Sequence, residues 1–146
     1  MGGLAIVASK GRATSSVLRE DAYAGVKAAS KYLQAAGVSR LDRIDILKSF
    51  QIESISMRAA DNATFGLRFY GGKAASEGRY LFPAFDNLTN RVGLALPEKW
   101  NSMTGIKQFQ IAPGTPYIFG RAASQGGIYT GGSYQMFITN TNFLIK

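Results

Sequence analysis

The stretch of sequence that decides our interpretation of this chain is GGIYTGGSYQMFI, which occupies residues 126–138. A glycine-rich loop runs directly into residues that alternate as in a β-strand. Glycine tolerates positive φ and lets the backbone approach a ligand closely, because it has no Cβ atom. Alternation places Gln135 on the same strand face as Phe137, at the base of the loop. The pattern predicts a ligand-binding loop, although a hairpin turn with a solvated glutamine fits the same residues.

Length and composition indicate one globular domain. The chain has 146 residues, within the usual size range of a single core. We therefore expect residues 1–146 to form one domain, with a helical part at 1–50 and a β-rich catalytic part at 51–146. The apolar runs fall well short of the roughly 20 residues that a membrane helix requires, so no membrane insertion is expected. The short apolar segment 4–8 precedes basic residues, which is the reverse of a secretory signal.

The sequence contains no cysteine and no histidine. This composition excludes disulfides, thiolate nucleophiles, the usual zinc sites and every mechanism that uses an imidazole base. Histidine-dependent ribonucleases, Ser-His-Asp and Cys-His hydrolases and zinc deaminases of ordinary design are therefore excluded. Any chemistry must use Arg, Lys, Tyr, Thr, Gln, Asp or Glu.

The net charge of +8 is spread evenly along the chain. Residues 1–50 contain eight basic and four acidic residues, and residues 51–146 contain nine and five, so each part carries +4. A strongly basic protein often binds nucleic acid through its phosphates, but no segment here forms a concentrated basic tail. The charge fits equally well a dinucleotide, an acidic protein partner or simple solubility.

Apolar periodicity predicts an α+β fold in which an N-terminal helical hairpin packs on a curved, mainly antiparallel β-sheet. The first helix is expected to begin at a cap within residues 14–16 and to end at Gly37, and the second to be capped by Ser39. Both helices are assigned to packing rather than to catalysis. Their apolar stripes are Leu18, Ala22, Val26, Ala29, Leu33 and Ala36, and then Leu41, Ile44, Leu47 and Phe50. Strands are predicted at residues 51–58, 64–70, 79–82, 92–96, 106–111, 117–119 and 134–139.

The sequence lacks the common signatures of nucleotide and sugar chemistry. It has no phosphate-loop motif, no Gly-x-Gly-x-x-Gly after a strand, and no pair of carboxylates placed to flank a glycosidic bond. It also lacks metal-ligand spacing, so no metal and no cofactor are expected.

The arginines of the β-rich part are more informative. Arg68 lies within an apolar predicted strand, Arg79 and Tyr80 follow a loop, and Arg91 precedes another predicted strand. If these guanidinium groups converge at one end of the sheet, they would bind a pyrophosphate through paired hydrogen bonds. Separate solvated arginines fit the same pattern.

The order of several short motifs resembles the tuberculosis necrotizing toxin family of NAD glycohydrolases. The motifs are RFYG at 68–71, EGRYL at 77–81, Arg91 leading to LALP at 94–97, IAPGT at 111–115 and GGSYQ at 131–135. The resemblance leaves the two predicted helices without a counterpart. The same order is similar to the C-terminal effector domains of contact-dependent growth inhibition systems and other polymorphic toxins.

The resemblance implies an active site in which Gln135, Arg68 and Tyr80 are catalytic, with Gln135 at the scissile bond. Arg68 and Tyr80 are implied to lie near nicotinamide and its ribose. The loop between them is longer than the family pattern by residues 73–76. The residues expected to hold the substrate are Arg91 on the phosphates, Arg79, Gly131 and Gly132.

Hydrolysis of NAD⁺ or NADP⁺ is compatible with a chain that has no histidine. Nicotinamide is cationic while it is attached to ribose, so it leaves as a neutral molecule and needs no general acid. The site must hold the dinucleotide bent, stabilise an oxocarbenium-like ribose and place a water molecule. Arginines, an aromatic ring and an uncharged amide can supply these functions, with NAD as the substrate rather than a cofactor.

Three other functions remain open from the sequence. The first is a metal-independent ribonuclease toxin that cleaves tRNA, for which alone nucleic acid would be a partner. The second is a protein ADP-ribosyltransferase, although such enzymes usually have a catalytic glutamate where Gln135 lies. The third is a pure binding module. As a toxin domain the chain is expected to be secreted, to act in the cytoplasm of a target cell and to bind an acidic immunity protein.

Overall fold

The computed structural model describes the backbone of residues 11–86 and 89–145, and the side chains within those ranges from residue 23 onward. The apolar segment 4–8 therefore lies outside the described residues. The same holds for the side chains of Leu18 and Ala22, the first two members of the predicted stripe.

Two helices form a hairpin in the described N-terminal part, as predicted. Helix α1 spans Gly11–Ala35 and helix α2 spans Arg40–Lys48. Gly37 turns the chain between them with a φ of 82°, and the Ser39 side chain accepts a hydrogen bond from the Asp42 amide at 3.2 Å. The cap predicted within residues 14–16 is wrong, because α1 already includes them; serine and threonine cost little inside a long helix. Neither helix has the length and apolarity needed to cross a membrane.

The apolar face of α2 differs from the predicted one. Leu41 is 76% exposed, whereas Ile46 is buried and lies beside Phe50, which follows the helix. A three-residue spacing drifts around a helix that has 3.6 residues per turn, so only the C-terminal end of the predicted stripe reaches the core.

The α+β fold with antiparallel strands is confirmed, and the strands of the β-rich part form two sheets. The described strands are β1 (Ser56–Ala59), β2 (Phe65–Tyr70), β3 (Tyr80–Leu81), β4 (Gly105–Ile111), β5 (Pro116–Arg121), β6 (Tyr134–Phe137) and β7 (Leu144–Ile145). Their order is β1-β5-β6-β3 in one sheet and β2-β4-β7 in the other. An isolated bridge between Leu67 and Phe82 links the two sheets.

The four-stranded sheet lies between the helices and the three-stranded sheet. Neighbouring residues on β5 and β6 point to opposite faces, so both faces of these central strands are buried. The helix-side cluster includes Ala29, Leu33, Ile46, Phe50, Ile118 and Phe137. The cluster on the other face includes Leu81, Phe109, Ile111, Tyr117, Met136 and Leu144. Gln135, which shares its face with Phe137, therefore points toward the helical layer.

The strand predictions differ from the structure in three places. In the predicted strand 51–58, residues Ile52–Ser54 form a 3-10 helix, and only the end of the segment belongs to β1. Residues 92–96 form tight turns instead of a strand, with Ala95 at a φ of 53° and with hydrogen bonds from Leu94 to Asn90 and from Leu96 to Arg91. Leu94 and Ala95 of this short apolar run are buried in a loop, which periodicity alone does not distinguish from a buried strand. Strand β7, at the C-terminal end of the described chain, was not predicted.

Candidate active site

A cleft of about 630 Å³ opens between the C-terminal end of α2, strands β3 and β6, and the loop of residues 90–103. A narrower recess of about 40 Å³ adjoins it, and the buried side chains of Leu81 and Phe82 are part of its lining. The residues common to the cleft and the recess are Arg68, Tyr80, Leu94, Leu96, Asn101 and Gln135. The three side chains that the sequence analysis assigned to catalysis thus line one site.

Gln135 is held in a single orientation by the end of α2. Its Nε2 donates to the carbonyl oxygen of Ser49 at 2.8 Å, and because a carbonyl only accepts, this contact identifies the amine end of the amide. Among the described residues no donor contacts Oε1 of Gln135, although no buried side-chain polar atom there lacks a hydrogen-bond partner. That oxygen is therefore accessible from the cleft as an acceptor.

Ser49 also orients Tyr80. Its hydroxyl lies 2.5 Å from the carbonyl oxygen of Ile46 and 3.0 Å from the Tyr80 hydroxyl. The single hydroxyl hydrogen of Ser49 goes to the carbonyl, so Tyr80 must be the donor in the contact between the two hydroxyls. The Tyr80 ring packs edge-on against Phe137, with 4.9 Å between centroids.

Tyr80 is neutral in this environment. Burial raises the pKa of Tyr80 above its ordinary value near 10, and nearby Asp45 raises it further. The hydrogen bond to Ser49 and the charge of Arg79 oppose the shift without reversing it. Tyr80 thus offers the cleft a ring and a hydroxyl, and not a phenolate base.

The Tyr80→Phe variant is expected to be less stable than the wild type near neutral pH, by about 0.5–1.5 kcal/mol for the lost hydrogen bond. Above about pH 10 the gap should close. Above that pH, Tyr80 ionises in the unfolded chain but stays protonated in the folded chain. Ionisation therefore lowers the free energy of unfolding of the wild type, and the variant has no group at this position that ionises. Chemical unfolding at several pH values checks the sign, and a gap that widens with pH would contradict the assigned shift.

Arg68 lies flat against the loop that precedes β3. Its Nε donates to the Ala75 carbonyl at 2.9 Å and its Nη1 to the Tyr80 carbonyl at 3.0 Å. A Cβ at Gly78 would overlap the guanidinium, which explains why glycine precedes Arg79 and Tyr80. Burial lowers the pKa of Arg68, but a guanidinium stays protonated in proteins. The long 73–76 loop therefore supports Arg68 and does not displace it.

Arg91 lies outside the lining of the cleft and organises the loop that forms one wall. Its Nη1 donates to the carbonyls of Leu96 at 3.0 Å and Asn101 at 2.6 Å, and its Nη2 donates to the Ser102 carbonyl at 3.2 Å. These contacts do not support the predicted role of Arg91 on the phosphates. They make it a positioning residue for the loop of residues 90–103.

The Arg91→Lys variant is expected to lower the melting temperature, because an ammonium cannot reach three carbonyls in a fork geometry. Losing charge-assisted hydrogen bonds costs about 1.5–3 kcal/mol. In a domain of this size each kcal/mol corresponds to roughly 2–8 °C. Calorimetry measures the shift, and an unchanged melting temperature would show that the loop does not depend on Arg91.

The other predicted substrate contacts also lie outside the cleft. Gly131 and Gly132 have φ values of 77° and 103°, but a Cβ at Gly131 would meet the backbone of Ala122 and Ala123, not open space. The Gly131 amide donates to the Val92 carbonyl at 2.9 Å, which docks the wall loop. The guanidinium of Arg79 lies over the Phe137 ring, 5.3 Å from its centroid.

The structure brings residues to the site that sequence reasoning assigned elsewhere. Helix α2 was assigned to packing, yet Asp45, Lys48 and Ser49 from its last turn and C-cap line the cleft. Asn101 and Trp100 enter from the wall loop, where Asn101 donates to the Phe69 carbonyl at 2.8 Å. No local pattern marks these residues, because their place depends on the docking of the helix and the loop.

No group of three or more His, Cys, Asp or Glu residues that could hold a metal occurs in the described part of the chain.

Comparisons with known proteins identify the fold. No protein-family model matches the chain, and no curated protein matches it. Tse6, solved in complex with Tsi6, superposes with a TM-score of 0.65 at 11% identity, over 84% of this chain and 94% of that chain. Tne2 in complex with Tni2 gives 0.49 at 12% identity, over 62% and 84%. Rhs1-CT in complex with its cognate immunity protein RhsI1 gives 0.46 at 20% identity, over 62% and 75%. At these identities the chain shares the fold of Tse6.

Proposed function

We propose that this chain is the effector domain of a polymorphic toxin and that it hydrolyses NAD⁺ or NADP⁺, releasing nicotinamide. The observation that carries the proposal is the meeting of Arg68, Tyr80 and Gln135 in one cleft. These residues come from three different strands, β2, β3 and β6, and all three are residues that the resemblance implies to be catalytic. Their convergence supports a shared role, since separate solvated residues would have no reason to line one recess.

In this proposal Arg68 binds the diphosphate of the substrate, and not the nicotinamide and ribose side that the resemblance implies. Burial is the cause of its lowered pKa, and its Nε and Nη1 contact only uncharged carbonyls. A bound anion would compensate for this desolvation, which is how an arginine in a cleft gains affinity for phosphate. Lys48, which lines the same cleft, adds a second positive charge, while Asp45 there contributes one negative charge.

Gln135 suits the scissile bond. The bond from ribose C1′ to the nicotinamide nitrogen breaks, its electron pair neutralises the pyridinium, and water adds to C1′ and releases its proton to solvent. An oriented amide oxygen that accepts from a ribose hydroxyl becomes more favourable as the ribose gains positive charge. Because Nε2 is held by Ser49, Oε1 is positioned before the substrate arrives.

The lining of the cleft favours water over a protein as the acceptor. Asp45 is the sole carboxylate among the described lining residues. The resemblance places Gln135 where transferases usually have a catalytic glutamate. A glutamine is not a base, so it does not activate a second nucleophile. ADP-ribose is then the expected product.

The toxin context rests on the motif order together with the fold shared with Tse6, which was solved bound to Tsi6. We propose an acidic immunity protein as the partner of this chain, because the net charge of +8 favours such an association. We also propose secretion of the parent protein and action in the cytoplasm of a target cell.

The test is to incubate the purified chain with NAD⁺ in the presence of a chelator and, separately, with total tRNA. Chromatography should show nicotinamide and ADP-ribose in equal amounts, and intact tRNA. Intact NAD⁺ together with cleaved tRNA would replace the proposal by the ribonuclease alternative. Nicotinamide release that requires an added protein acceptor would identify a transferase.

A further inference from the structure

The single tryptophan of the chain, Trp100, lies at the mouth of the cleft. Its side chain is 48% exposed. Within residues 23–86 and 89–145 no aromatic ring or cation packs on it. Tryptophan is highly buried on average, so a large ring that is half exposed and unstacked at a cleft is a candidate ligand contact.

The turn that carries Trp100 is held firmly. The Trp100 amide donates to the Pro97 carbonyl at 2.9 Å, and Arg91 binds the carbonyls on both sides of this turn, at Leu96 and Asn101. Asn101, the next residue, is itself tied to the Phe69 carbonyl of β2. An indole presented on a fixed turn loses little conformational entropy when a flat ligand packs on it.

The site has two parts, the recess and the wide cleft, and Trp100 lines only the wide cleft. Arg68, Tyr80 and Gln135 line both the recess and the wide cleft, whereas Trp100 and Lys48 line only the wide cleft. If the scissile nicotinamide end of the substrate occupies the part near Gln135, the other half of the dinucleotide extends toward Trp100. That half ends in adenine, a flat and uncharged ring.

We propose that Trp100 is the stacking surface for the adenine base of the dinucleotide, an inference that rests on the proposed function. Base stacking on an aromatic side chain requires no particular hydrogen-bond pattern, which fits a ring whose surroundings at the mouth are open. Trp100 is a binding residue in this role and takes no part in bond cleavage.

The single tryptophan makes the contact directly measurable. Indole fluorescence is excited selectively at the red edge of its absorption while the wild-type chain is titrated with AMP and, separately, with ribose 5-phosphate. AMP should quench the emission in a saturable way, because the base stacks on the ring. Ribose 5-phosphate, which has the sugar and phosphate but no base, should not.

Variants of Trp100 test how much the stacked indole contributes to substrate binding. Trp100→Ala is expected to raise KM for NAD⁺ by roughly 5- to 150-fold with kcat nearly unchanged, the usual range for losing one stacked base. Trp100→Phe should recover most of the loss. Tyr23→Ala, which removes a similarly exposed ring from α1 outside the cleft, is the matched control and should leave KM unchanged. Melting temperatures of all three variants confirm that they are folded.

The outcomes for this inference and for the proposed function are separable. Saturable quenching by AMP in a chain that never releases nicotinamide would retain the adenine site and reject NAD⁺ hydrolysis. Nicotinamide release with a normal KM in Trp100→Ala would overturn the stacking role and leave the proposed function standing. Equal quenching by AMP and ribose 5-phosphate would also overturn it, because the base would then contribute nothing.

Discussion

Replacing Gln135 by methionine is expected to lower kcat for nicotinamide release by about 100- to 1000-fold, the usual effect of removing one oriented transition-state contact. Methionine has nearly the length and volume of glutamine but neither polar end. The Ser49 carbonyl keeps a second donor, the Ala123 amide at 2.9 Å, so the substitution leaves no buried carbonyl without a partner. KM should change much less than kcat.

Two other substitutions are less informative at this position. Gln135→Ala would leave a cavity at a site where the side chain is 8% exposed. Gln135→Glu would place carboxylate oxygen against the Ser49 carbonyl, where the structure has a donor. Lost activity in either variant would then mix chemistry with stability.

The control for Gln135→Met is Gln108→Met, which makes the same change at an exposed position of β4 outside the cleft. Steady-state kinetics and melting temperature are measured for both variants. Wild-type turnover in Gln135→Met would remove the residue from the active site. A large fall in melting temperature together with lost turnover would indicate a structural role instead.

Arg68→Lys is expected to weaken NAD⁺ binding by roughly 10- to 150-fold, corresponding to about 1.5–3 kcal/mol for a charge-assisted contact. Lysine keeps the positive charge, but it cannot hold the Ala75 and Tyr80 carbonyls and still present a donor to the cleft. The flat space beside Gly78 fits a guanidinium plane and leaves an ammonium without support.

Arg79→Lys is the matched control, since Arg79 directly precedes β3 and lies next to Tyr80, whose carbonyl Arg68 contacts, but is outside the cleft lining. Its affinity for NAD⁺ should stay within about twofold of the wild type, as for most surface changes away from a site. Isothermal titration with ADP-ribose, which keeps the diphosphate of NAD⁺ but lacks the bond to nicotinamide, measures the change in both variants. A larger effect at Arg79 than at Arg68 would reverse the assignment of the two arginines.

Some predicted site residues line the cleft and others do not, and the difference has a physical explanation. Arg68 and Arg91 are both arginines next to apolar segments, and the sequence does not distinguish them. The Arg68 guanidinium lines the cleft, while the Arg91 guanidinium donates hydrogen bonds to three backbone carbonyls of a loop. Gly131 makes the close approach that the glycine-rich loop predicts, but it approaches the backbone of Ala122 and Ala123 and not a ligand site.

The sequence by itself determined the secondary-structure class, the hairpin of helices joined at Gly37, and the alternation that turns Gln135 toward the helices. These features depend on local periodicity, caps and φ preferences, which act over a few residues. It also determined that histidine and thiol chemistry play no part. Only the tertiary structure decided that Ser49 holds both Gln135 and Tyr80, that Arg91 supports a loop, and that Trp100 stands at the mouth of the cleft. Those roles depend on which distant backbone carbonyls and surfaces meet, and no local pattern encodes such contacts.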